Sequence, residues 1–172
     1  MNKEFDYLKK EFPKIYKDIV LNHKAVNKVL TFCDDKNQYL LFTGMFSDVN
    51  GGKGINEELE TYLVNFLIDK YKCKAFARAA AYVLEDQTSF IGYDFRSIDD
   101  KKWSQQNIFH TDAEGKVTDI DEKFTNSSDN NNICPLVNSY FEGIDFPKAT
   151  EEFLTNLYEQ VKPSFQIIKL KR

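Results

Sequence analysis

One domain of mixed helices and strands is what this sequence predicts, and three observations predict it. Residues 56–71 (NEELETYLVNFLIDKY) carry Leu59, Tyr62, Leu63, Phe66 and Leu67 at the spacing of one helical face, and weaker stripes of the same period stand near both ends. Short aromatic runs between residues 90 and 120 read as strands. The chain has 172 residues, of which 42% are hydrophobic and 15% aromatic. A chain of that size buries roughly 70% of the surface it exposes when unfolded, so one core suffices and residues 1–172 are expected to form a single domain.

The elements follow in order. Phe5, Leu8, Phe12, Ile15, Tyr16 and Ile19 form an apolar stripe over residues 3–22, with a break expected at Pro13 as the first residue of a second helical piece. Residues 25–32 are expected to add a helical turn or two. Residues 34–37 (DDKN) form a turn, and residues 38–46 (QYLLFTGMF) a buried strand. The glycine-dense residues 48–54 (DVNGGKG) connect to the helix of residues 56–71, the element around which the chain is organised. Asn56 is its expected N-cap, with Glu57, Glu58 and Glu60 facing the positive end of its dipole, and Val64 and Ile68 widen its stripe.

Residues 73–85 (CKAFARAAAYVLE) read as a helix ending in a strand, since Phe76, Ala79, Ala80 and Val83 fit a helical stripe while residues 81–84 fit a strand equally well. Residues 90–95, 103–110 and 116–120 are expected strands, with a turn at residues 111–115 (TDAEG). Residues 124–132 (FTNSSDNNN) read as a mobile polar loop. Thr150 is the expected cap of a closing helix whose buried face holds Phe153, Leu154, Leu157, Tyr158 and Val161. Pro163 stops that helix, and residues 164–170 close the chain as an edge strand flanked by lysines.

Motif chemistry is sparse. The cysteines Cys33, Cys73 and Cys134 form no CxxC pair, and with His23 and His110 they match no zinc spacing, so buried free thiols are expected. Residues 48–54 lack the GxxxxGK[ST] spacing of a phosphate loop. Aligning Gly115 to the sixth position of an EF-hand loop puts His110 first and Asp121 last, where Asp and Glu are needed. His23 ends a helical stripe, where its charge suits the dipole. Ser104, His110 and Asp112 could be drawn as a hydrolytic set, but no nucleophile-elbow sequence exposes the serine. No catalytic residue, cofactor site or metal site is expected on these grounds. A small hydrolase or nucleotide-handling enzyme centred on His110 and Asp112 stands as the alternative, and a regulatory adaptor as a third reading.

The N-terminal residues MNKEFDYLKK are too charged for a signal peptide, and no apolar run approaches the ~20 residues of a membrane span, so a cytoplasmic protein is expected. Its net charge of −4 argues against general nucleic-acid binding. That charge is unevenly placed: residues 97–160 hold 13 acids and 5 bases, a balance of −8, whereas the last 11 residues carry +4. A concentrated acidic region without catalytic motifs suits an inhibitor of a basic protein, because opposite charge speeds encounter and can occupy a phosphate-binding groove.

Two parts of the chain resemble the SUKH superfamily of bacterial immunity proteins. Residues 8–23 (LKKEFPKIYKDIVLNH) carry its opening pattern in Phe12, Pro13, Tyr16, Ile19 and Leu21. Its ending is similar to Asp112, Glu114, Gly115 and Val117 followed by the helix TEEFLTNLYEQV, with Phe153, Leu154 and Leu157 at the apolar positions. The resemblance covers about a third of the chain. It implies an α+β domain with a mainly antiparallel sheet flanked by helices, and a role in neutralising a cognate toxin; it carries over no catalytic residue. Asp99, Asp100, Asp112, Glu114, Asp119, Asp121, Glu122 and Asp129 are the candidate partner-binding residues.

Overall fold

Asn2 starts the first helix by accepting a hydrogen bond from the backbone of Phe5, and α1 then runs unbroken over Lys3–His23. The expected break at Pro13 is absent. Proline removes the bond that would reach the carbonyl of Lys9, but Phe5, Leu8, Phe12, Tyr16 and Val20 are all buried along one face, and that packing outweighs a single lost bond. The structure is a computed structural model that describes residues 2–42, 57–83, 88–124, 126–128 and 148–170.

The remaining elements are β1 (Val29–Cys33), β2 (Asn37–Phe42), α2 (Glu57–Tyr71), β3 (Ala75–Val83), β4 (Ser89–Ser97), β5 (Lys102–Thr111), β6 (Val117–Ile120), β7 (Asn126–Ser128), α3 (Lys148–Val161) and β8 (Phe165–Lys169). They build an α+β domain around one antiparallel sheet in the order β6-β5-β4-β3-β1-β2-β8, with β7 also pairing with β5. Helix α1 lies on one face of the sheet, and α2 and α3 lie on the other.

The central strands depart from the sequence reading. Residues 29–33 are a strand rather than extra helical turns, because β1 pairs on both sides and every residue in it is buried. Residues 75–83 are wholly strand, despite the helix propensity of alanine. Ala75, Ala77 and Ala79 turn to the α1 side and Phe76 to the α2 side, a period of two that the helical count obscured. Their small side chains let the rings of Phe12 and Tyr16 come down onto the sheet, where both meet Tyr93 edge-on.

Other corrections are local. Residues 126–128, expected in a loop, form β7 against β5. Thr150 lies inside α3, which already starts at Lys148, so it is not the cap. Leu154, Tyr158 and Val161 are buried as expected, but Phe153 is half-exposed. The helix of residues 57–71 is present, with Leu63, Val64, Leu67 and Ile68 buried. It serves one of two cores rather than organising the chain. The Asn56 cap, residues 43–46 of the second expected strand, residues 48–54, Asp129 and Cys134 lie outside the described residues.

Candidate functional site

Helix α1 packs over β3 and β4, and its two ends are tied to segments that flank β5. The 21 residues of α1 span about 32 Å and the ten of β5 about 34 Å, so the two are matched in length. At one end, Asn2 donates to Asp99 at 2.9 Å and to the carbonyl of Lys74 at 3.3 Å. At the other, the Val117 amide donates to the carbonyl of Lys24 at 2.9 Å. The acidic candidates divide between these two ends.

Asp99 and Asp100 sit in the β4–β5 turn and are engaged by the fold. Asp99 accepts from the Ser97 hydroxyl as well as from Asn2, and these bonds hold its carboxyl below the usual carboxylate range. Asp100 pairs with Arg96 at 3.1 Å and Lys102 at 3.4 Å. At the far end, Asp112 closes the β5–β6 turn by accepting from the amides of Glu114 and Lys116, each at 2.9 Å. Gly115 supplies the positive φ of +79° that this turn requires. Glu114 pairs with Lys116, and Asp121 bonds His110 Nε2 at 2.8 Å. Asp119 and Glu122 are exposed and have no ion-pair partner among the described residues.

His110 therefore meets Asp121, not Asp112, whose carboxylate faces backbone amides. Ser104 lies six residues along β5 from His110, about 20 Å away, so the set Ser104, His110 and Asp112 is not assembled. Cys33 and Cys73 are buried free thiols. Among the described residues, no group of three or more His, Cys, Asp or Glu side chains is placed to hold a metal ion. Nor is any described helix long and apolar enough to cross a membrane.

Between α1 and the β5–β6 region lies a groove of about 630 Å³. Lys9, Pro13 and Lys17 line it from the helix; Gln105 and Asn107 from β5; Ile120 and Phe124 from beyond. Gln105 is buried, its Oε1 accepting from Trp103 Nε1 at 2.8 Å, and its Nε2 has no hydrogen-bond partner among the described residues. Tyr93, its cross-strand neighbour, likewise has a buried hydroxyl without a partner among them, and burial pushes that hydroxyl's pKa well up. Asn107 is satisfied, donating to the carbonyls of Asp121 at 2.9 Å and Lys123 at 3.2 Å.

The sequence reading missed this groove. Its only trace there is the odd-numbered polar row Gln105 and Asn107 inside a strand between Trp103 and Phe109, which breaks the apolar alternation on the buried face. Comparison with family models, with curated proteins and with solved structures found no match for this chain.

Proposed function

We propose that the chain is a cytoplasmic immunity-type inhibitor that binds a basic toxin domain through the acidic surface of its β5–β6 hairpin. The observation that carries this reading is the distribution of charge on that hairpin. Residues 111–124 contain five acids and two lysines, and Asp119 and Glu122 are exposed with no ion-pair partner among the described residues. The hairpin is also a firm platform, since Phe109, Val117 and Ile120 are buried in the α1-side core beneath it. A pre-organised negative surface accelerates encounter with a cationic partner and needs little ordering when it docks. The likeness of Asp112, Glu114, Gly115 and Val117 to the SUKH ending supports the same reading.

In this reading the seven candidates among the described residues separate by role. Asp99 and Asp100 hold the β4–β5 turn and contribute only background field. Asp112 and Glu114 shape the hairpin tip, and Asp119, Asp121 and Glu122 present charge along its side. Co-expression with the toxin domain encoded beside its gene should restore growth; continued killing overturns the proposal. Binding should also be slower in high salt, because steering between exposed charges is screened within about 8 Å at physiological ionic strength.

A further inference from the structure

We propose that the groove between α1 and β5 is a small-molecule site for a single oxyanion carried on an aromatic ring, a carboxylate or a phosphate. Its volume of about 630 Å³ suits a ligand of that size, since small-molecule sites run from roughly 300 to 1,000 Å³. The walls offer an apolar seat in Pro13, Ile120 and the half-exposed ring of Phe124, which meets Tyr93 edge-on. The floor offers Gln105, only 6% exposed, whose amide orientation is set by the bond from Trp103 to its Oε1. Its Nε2 is thus left as a donor without an acceptor among the described residues. A buried donor lacking an acceptor calls for an incoming acceptor oxygen.

The lysines indicate that the acceptor carries charge. Lys10 and Lys14 are matched to Glu11, but Lys9 lies 3.3 Å over the Trp103 ring and Lys17 reaches the carbonyl of Ile120 at 3.2 Å. Neither of these two cations pairs with a carboxylate among the described residues. They stand eight residues apart on α1, about 12 Å, with Pro13 between them. A ring bearing one oxyanion fits that interval. The groove also carries Asp6, Asp18, Asp121 and Glu122, which repel a polyanion and so favour a small, singly substituted acid over a nucleic-acid strand.

Trp103 is the only tryptophan in the chain and touches both Lys9 and Gln105, so its fluorescence reports on the groove directly. The full chain is titrated with benzoate and phenyl phosphate, and with benzyl alcohol and benzamidine as neutral and cationic controls. Saturable quenching by one or both oxyanions is expected, and which of the two binds tighter assigns the head group. Lys17→Met and Lys9→Met should each weaken binding roughly threefold to fivefold, with Lys162→Met, outside the groove, unchanged. Gln105→Glu keeps the acceptor for Trp103 but replaces the donor with a charge, and should abolish binding. If that variant fails to fold, the lysine variants and the shift of the Gln105 side-chain amide signals on adding benzoate decide the matter. No saturation by either oxyanion, equal binding of the control compounds, or lysine variants that bind as the wild type does would each overturn the proposal. None of these readouts depends on toxin binding.

Discussion

At the start of β5, Asp99 and Asp100 face Ser97, Asn2, Arg96 and Lys102; at its far end, Asp119 and Glu122 face water. The two ends are alike in composition and opposite in use. At the first, Asp99 ties the N-terminus of α1 to the β4–β5 turn and Asp100 pairs with Arg96 and Lys102, so both carboxylates are engaged within the fold. At the second, apolar residues anchor the hairpin from below and leave the charge outside. A count of acids along the sequence treats these ends as one acidic region, whereas hydrogen-bond geometry divides it into a structural part and a presented part.

The largest effect that tests this contrast is expected at Ser97, which is fully buried, donates to Asp99 and accepts from the Lys101 amide at 3.0 Å. Ser97→Ala should cost about 2 kcal/mol in denaturant unfolding. Thr118→Ala, whose exposed hydroxyl bonds the carbonyl of His110 at 3.2 Å, should stay within about 0.5 kcal/mol. Similar costs at the two positions would break the contrast.

Next in size is the combined variant Asp119→Lys and Glu122→Lys. It should slow association with the toxin partner about tenfold, equivalent to ~1.4 kcal/mol, and leave thermal stability unchanged. Stopped-flow mixing at several salt concentrations measures it, and an unaltered rate removes the hairpin from the encounter.

Gly115→Ala should cost about 1 kcal/mol in urea unfolding. A Cβ there would meet nothing within 4 Å, so the cost comes from the φ of +79° and not from a clash. The hairpin tip would then lose definition without any loss of core.

The smallest effect concerns pH. Asp99 is held below its ordinary pKa by Ser97 and Asn2, so its stabilising contribution is complete above the unfolded value of about 3.9 and disappears as pH falls through the lowered folded value. The stability gap between wild type and Asp99→Ala should therefore shrink on acidification through that window. Thermal melts of the two proteins from neutral to strongly acidic pH measure it, and a gap that does not change with pH removes that contribution.

Much of the helical framework was legible locally. The stripes of α1 and α2 repeat every three or four residues, and the turn at residues 34–37 has side chains that satisfy it: Asp34 accepts from the amides of Lys36 at 2.6 Å and Asn37 at 2.7 Å. The strands β1 and β3 were not legible as strands. Residues buried on both faces show no polar alternation, and an alanine-rich run satisfies helical and extended periods alike. The continuity of α1 through Pro13 was hidden for a related reason, since nothing near Pro13 reveals the sheet that holds both halves in line. Of the site residues, the acids were visible as composition. Gln105 and Tyr93 were silent, because what marks them is the absence of an acceptor in space.

What the amino-acid sequence determined by itself was the kind of molecule: mixed helices and strands, an aromatic interior and an acidic segment between residues 97 and 160. These follow from local period and from charge, which each residue carries wherever it is placed. Tertiary structure alone decided that β1 and β3 lie at the centre of one antiparallel sheet, that α1 packs over β3 and β4, and that one pair of acids is engaged while another has no ion-pair partner among the described residues. Those outcomes depend on partners distant in sequence, such as Val29 with Ala79 and Asn2 with Lys74 and Asp99, and no local signal encodes a pairing made across such separations.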